Sequence, residues 1–160
     1  MLVVSDTSPI TNLLQIGQLT LLHHLFGQVV MPQAVYNELC ELPHQQLAID
    51  GEAWLTVQSS HQFDLVAVLK EELDAGEAEA IALALEIKAD YSIIDERKGR
   101  DKAEALGLHI VGLLGVLIQA EQAGYLTAVE PVLTELRNKA GFRIHPALYK
   151  RIIEIAGEAI

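Results

Sequence analysis

The sequence predicts an α/β fold: a three-layer α/β/α sandwich with a mainly parallel central sheet. Two observations carry that prediction. Short apolar runs at Val3-Val4, Val29-Val30 and Ile93-Ile94 recur between longer segments of helical periodicity, so strands alternate with helices that cover both faces of the sheet. Aromatic residues make up only 5% of the chain, which leaves Ala, Leu, Ile and Val to build the core, as suits helices packed on a buried sheet.

With 160 residues the chain is long enough to bury a substantial core. It reads as one domain over residues 1–160, with its C-terminal helices (about 127–160) packed on the sheet or placed at a homodimer seam. Hydrophobic residues at 51% and charged residues at 21% are the proportions of a compact soluble protein. The formal net charge is −11 and unevenly spread: no Lys or Arg precedes Lys70, and all 11 lie between Lys70 and Arg151. Such a chain repels a polyanion at long range, so action on nucleic acid needs cations to bridge the repulsion, or a local basic surface. The single Cys40 excludes an internal disulfide and fits a reducing compartment. The N-terminus lacks the basic start of a signal peptide, and the longest apolar run, Leu108–Ala120, is too short to span a bilayer. A cytoplasmic protein with no membrane contact is expected.

The first strand is Leu2–Ser5, and it ends at Asp6. A helix signal follows at once: Ser8 is placed to cap the first turn, and Pro9 sits where a missing N–H costs nothing. Ile10, Leu13, Leu14, Ile16 and Leu19 give this segment one buried face, broken near Gly17. A short helix over Thr20–Phe26 carries His23 and His24, which point apart and make poor joint metal ligands. Val29–Met31 is the second strand, and Pro32 starts a helix through about Cys40. Glu38 lies on it beside the apolar stripe of Val35, Leu39 and Leu42. Residues 42–51, His44 among them, read as a loop. Trp54–Val57 alternates like a short strand, and Phe63–Lys70 reads as a short helix.

Asp74-Ala75-Gly76-Glu77 is a capping-box pattern ahead of a helix over Glu77–Lys88, whose Ile81, Ala82, Leu85 and Ala89 share one face. Tyr91–Ile94 then repeats the opening arrangement, a buried strand followed immediately by Asp95. The densest basic cluster, with Arg97, Lys98, Arg100 and Lys102, comes next, in a helix reaching Leu106. A strand over Leu108–Val111 and a helix opened by Gly112 and Gly115, running to about Ala123, follow. Helices over about Ala128–Lys139 and Pro146–Ala156 close the chain.

This order places acids from distant segments at one edge. In a parallel sheet with antiparallel covering helices, helix N-termini lie at the carboxyl ends of the strands, which is where open α/β sheets bind ligands. Asp6 and Asp95 follow strands at that edge, Glu77 opens a helix there, and Glu38 is in the second turn of another. Like charges so gathered are unstable without a cation. An all-oxygen set, lacking Cys and clustered His, indicates Mg²⁺ or Mn²⁺ over zinc. Such ions polarise a phosphodiester and generate a hydroxide nucleophile.

The stretches VVSDTSPITNLLQIGQL, VVMPQAVYNEL, LDAGEAEAIALALEIKAD and IIDERKGRDKAEALGLHIVGLLGVLIQAEQAGYL resemble the PIN-domain family, the VapC-like toxin ribonucleases of toxin–antitoxin modules. More narrowly they are similar to a little-characterised PIN-like subgroup. The resemblance implies a sandwich of helices around a parallel sheet and Mg²⁺- or Mn²⁺-dependent cleavage of RNA, with a small cognate antitoxin as partner. Carried over by position, it implies that Asp6, Glu38, Glu77 and Asp95 hold the metal and orient the attacking water, and that Ser8 supports the first acid. Position 77 is often Asp in that family, and Asp74 stands close enough to compete for its role. Arg97, Lys98, Arg100 and Lys102 form a phosphate-binding surface beside Asp95, or else a solvated helix face balanced by Glu96, Asp101 and Glu104. No aromatic interleaves with them to stack a single strand. The alternative function is a non-catalytic PIN-like module that binds RNA or a protein partner. A phosphotransfer enzyme using Asp6 is a weaker third reading, because no second Asp follows two residues on.

Overall fold

The computed structural model describes residues 1–158, so positions 159 and 160 of the expected C-terminal unit lie outside the described residues. The elements run β1 (Val3–Ser5), α1 (Thr7–Gln15), α2 (Thr20–Phe26), β2 (Val29–Met31), α3 (Gln33–Leu39), α4 (Pro43–Asp50), β3 (Leu55–Val57), α5 (Phe63–Leu69), α6 (Ala75–Glu86), β4 (Tyr91–Ile93), α7 (Arg97–Ala105), β5 (Ile110–Val111), α8 (Leu113–Gln122), α9 (Glu130–Lys139) and α10 (Pro146–Ile155). The five strands form one sheet in the order β3-β2-β1-β4-β5, and every pairing is parallel. The chain therefore builds outward from β1 through β2 to β3, then crosses back and builds outward through β4 and β5. The reversal lies between β1 and β4, and a crevice opens at such a point at the carboxyl edge.

Strand periodicity divides the core. Val3, Val29, Met31 and Ile93 enter the large cluster under α1, α2, α8, α9 and α10. Val4 and Val30 face the other way, against Ala80, Leu83 and Ala84 of α6. Ile94 joins Leu69 of α5, Ile81 of α6 and Ala103 of α7 on that second face. Each fully buried aliphatic side chain contributes about 1.5–3 kcal/mol of transfer free energy, so both faces are firmly covered. Helix α3 bridges the layers: Val35 and Leu39 join the large cluster while the helix packs against α6. The C-terminal helices contribute Val132, Leu133, Leu136, Ile152 and Ile153 to the same cluster. The start of α9 has its Val129 and Glu130 amides donating to the Glu158 carboxylate at 2.8 and 3.1 Å, which satisfies donors a helix otherwise leaves open. Among the described residues no helix is long and apolar enough to cross a membrane.

Two local expectations are corrected. Residues 43–50 are a helix, not a loop, and His44 lies on it. The pattern is inverted there: Gln45 is buried at 3% exposure beside Ile49 one turn on, whereas Leu47 stands 77% exposed, so hydrophobic periodicity points the wrong way. The first helix begins at Thr7 with Asp6 in the N-cap position, so Ser8 is its second residue and not the cap. Asp6 makes no side-chain cap bond to this helix. The capping box on α6 is present as expected, with the Glu77 amide donating to Asp74 Oδ1 at 2.8 Å and the Asp74 amide donating to Glu77 Oε1 at 3.4 Å.

Candidate active site

Asp6 leaves the central strand β1, its amide donating to the Ile93 carbonyl of β4 at 3.0 Å, so it sits at the sheet's reversal point. The side chain is 5% exposed. On α1, Thr7 Oγ1 donates to Glu38 Oε2 of α3 at 2.7 Å and draws the second acid toward the first. The start of α6 passes directly over this pair. A Cβ placed on Gly76 would stand 2.8 Å from Glu38 Oε1, 3.2 Å from Asp6 Oδ1 and 3.3 Å from Thr7 Oγ1. Three oxygens from α3, the β1 end and α1 thus converge on one point, and glycine at position 76 leaves the Glu38 carboxylate room to stay there.

Glu77 is next on α6, at 4% exposure. Its Oε1 belongs to the capping box, while its Oε2 is buried without a hydrogen-bond partner. That atom lies 2.6 Å from where a Cβ on Gly99 of α7 would be, so a second glycine makes room for a second acid. Asp95 is turned toward the start of α8: its Oδ1 accepts from the Leu113 amide at 2.8 Å, and its Oδ2 is buried and unpartnered.

Burial raises the Asp6 carboxyl to about 7, with Asp74, Glu38 and Glu96 adding repulsion and the Thr7 amide opposing the rise. Burial, reinforced by Asp74 and Asp6, lifts Glu77 to about 7 as well. Asp95 is also raised by burial, against the pull of its Leu113 hydrogen bond and of Arg100. Each shift has the same remedy, a cation that would favour the ionised forms. The donor set is all oxygen, it includes two buried carboxylate oxygens without partners, and it suits a hard divalent ion. Among the described residues no three His, Cys, Asp or Glu side chains already stand in a ready-made metal-holding arrangement.

These shifts make metal-free stability depend on pH. An acid whose folded pKa lies above its unfolded value of about 4 holds extra protons in the folded state. Stability is then greatest below that unfolded value and declines as pH rises toward the folded value near 7. The melting temperature without divalent ions should therefore be higher at pH 5 than at pH 8, by about 5 °C or more. Mn²⁺ should narrow the gap, a result that differential scanning calorimetry at the two pH values would read directly.

The structure brings Asp6 and Glu38 together through Thr7 and Gly76, neither of which the sequence marked as functional. The available signal was a glycine inside a strongly helical segment, which asks for a packing reason. Asp74, an expected competitor of Glu77, is its capping partner. Ser8 lines a cavity beside Asp95. The basic cluster divides. Arg100 faces Asp95 across Gly112, Lys102 pairs with Glu72 at 2.8 Å, and Arg97 is 95% exposed opposite Asp101. Lys98 lines a separate hollow with Glu72 and Asp101.

A family model described as PIN domain matches residues 2–158, nearly the whole chain. No curated protein matches it.

Proposed function

We propose that this chain, which belongs to the PIN-domain family, is a metal-dependent endoribonuclease that hydrolyses RNA phosphodiesters. PIN domains are in general nucleases that use divalent metal ions. One observation carries the reading: oxygens of Asp6, Glu38 and Thr7 all lie within 3.3 Å of a single point over Gly76, at the reversal point of the sheet. Asp6, Glu38, Glu77 and Asp95 are the residues that would hold Mg²⁺ or Mn²⁺. A bound ion of that kind supplies charge neutralisation on the phosphodiester and activation of the attacking water.

The chain's own groups prepare the site. Thr7 fixes the Glu38 carboxylate with its hydroxyl, and the Leu113 amide fixes Asp95. Burial keeps bulk water away from Asp6 and Glu77, which strengthens any charge interaction there. Ser8 lines the same cavity as Asp95, and its proposed part is to support the acids with its hydroxyl. Arg100 is the cation nearest Asp95 and is placed to meet a phosphate, whereas Arg97, Lys98 and Lys102 form the outer part of that basic surface.

Asp95→Asn should lower Mn²⁺-dependent cleavage of single-stranded RNA by about a hundredfold or more, with the circular dichroism spectrum unchanged. Full activity in this variant would remove Asp95 from the assignment.

The cellular role that fits is the toxin of a toxin–antitoxin pair, acting in the cytoplasm. Its small antitoxin would cover the acidic edge, and Leu148 and Ile155, both exposed on α10, would contribute to a homodimer seam. The second reading, a non-catalytic module that binds RNA or a protein partner, draws on the absence of a ready-made metal arrangement among the described residues. RNA binding without cleavage at saturating Mn²⁺ would favour it.

A further inference from the structure

Beside Asp95 the acid cluster opens into a cavity of about 790 Å³, within the roughly 300–1,000 Å³ range of ligand sites. One wall is the segment 141–145 between α9 and α10, which is neither helix nor strand. Its residues alternate. Phe142 and Ile144 are half-buried and pack against the large core cluster, while Arg143 and His145 are exposed, and all four line the cavity. Arg100 closes the side nearest the acids: a Cβ on Gly112 would lie 2.9 Å from its Nη1 and 3.3 Å from Asp95 Oδ1. His145 Nδ1 accepts from the Ala147 amide at 3.1 Å, which leaves the ring proton on Nε2 as a donor.

Arg100, Arg143 and His145 thus stand together at the mouth of an acid cluster, in a chain of net charge −11. The two guanidinium charges complement phosphates, and the His145 ring adds an N–H donor. The apolar surface between them complements base faces, which a duplex hides in its stack and a single strand exposes. Phe142 also supplies the aromatic that the basic cluster lacks in its own stretch of sequence. It arrives from another part of the chain, through the fold.

Resting on the ribonuclease reading, we propose that this cavity seats one nucleotide of a single-stranded RNA adjoining the scissile phosphate, with Phe142 and Ile144 against the base and Arg100 and Arg143 against the flanking phosphates. Segment 141–145 is then a specificity-determining element, while Asp6, Glu38, Glu77 and Asp95 remain the site of the chemistry.

The test uses a short fluorescein-labelled single-stranded RNA and fluorescence anisotropy, with Asp6→Asn present to prevent cleavage. Arg143→Glu and Phe142→Leu should each weaken binding by about tenfold, and the same strand annealed into a duplex should bind more weakly than when single. Lys70→Glu makes the same charge change at the end of α5, in the opposite layer, and should shift affinity by less than about twofold. In the cleaving protein the loss should fall in KM. Arg143 is exposed, so its variant keeps the test sound even if Phe142→Leu loosens the core. Cleavage by the wild type with unchanged KM and affinity in both variants would overturn the nucleotide seat and leave the ribonuclease reading standing. Neither binding nor cleavage of any RNA by the wild type would overturn both.

Discussion

Asp6→Asn should lower metal-dependent RNA cleavage by about a hundred- to a thousandfold and at the same time stabilise the metal-free protein. Both effects follow from one placement. The carboxylate is 5% exposed at the end of the central strand, close enough to Asp74, Glu38 and Glu96 for each to raise its pKa further. Ionising such a group without a counter-ion costs free energy. A rise from 3.8 to about 7 corresponds to about 4 kcal/mol at most above pH 7. An amide of the same shape carries no charge, so part of that cost disappears. Its N–H donors also need partners, which limits the gain to about 1–3 kcal/mol. Thermal denaturation at pH 8 without divalent ions would show the higher melting temperature, and a cleavage assay would show the loss. Stability gained with activity lost is the mark of a residue kept for chemistry. A variant that loses both would make Asp6 an ordinary structural carboxylate.

Gly76→Ala should separate stability from activity in a different manner. Alanine is favoured over glycine within a helix by about 0.5–1 kcal/mol. Against that, the added methyl would stand 2.8 Å from Glu38 Oε1, 3.2 Å from Asp6 Oδ1 and 3.3 Å from Thr7 Oγ1. The nearest of these is the end of a flexible side chain, so the Glu38 carboxylate would swing aside at little cost to the fold. The two energies nearly cancel, and the melting temperature should move by no more than about 3 °C. The displaced carboxylate, however, leaves Thr7 and Asp6 without their partner. Cleavage should fall by about a hundredfold, since misplacement of about 1 Å in a reacting constellation is enough for that. A fully active Gly76→Ala protein would show that the convergence of these three oxygens does not matter.

The parts of this architecture legible in the sequence are those where one physical signal dominates. Val3-Val4 and Ile93-Ile94 are buried on both faces, so apolar runs announce β1 and β4 and locate the acids that follow them. The Asp74–Glu77 box is a local hydrogen-bond pattern and survives folding unchanged. Elements whose pattern is set by tertiary contacts were not legible. Gln45 occupies a core-facing position on α4 while Leu47 faces outward, which disguises a helix as a polar loop. Asp6 takes the N-cap backbone position of the first helix without a side-chain cap bond, so a rule based on side-chain capping does not single it out over Ser8. Topology gives the edge at which the acids are expected but not their pairing. Glu77 shares its carboxylate with a capping box, Asp95 turns to the Leu113 amide, and the Asp6–Glu38 approach depends on a threonine and a glycine. Nor does sequence order reveal that Phe142 and Arg143 share a cavity wall with Arg100, more than 40 residues earlier in the chain.

The most direct measurement is a calorimetric titration of Mn²⁺ into the wild-type protein at pH 7.5, beside Asp6→Asn and Glu77→Gln. The account predicts binding to the wild type with release of a fraction of a proton per carboxyl, larger at about pH 6.5 than at about pH 7.5, because two carboxyls raised to about 7 stay partly protonated until the ion binds. Both variants should bind at least about tenfold more weakly. A folded wild-type protein that takes up no Mn²⁺, or variants that bind as tightly as the wild type, would contradict the claim that these acids form a metal-dependent active site.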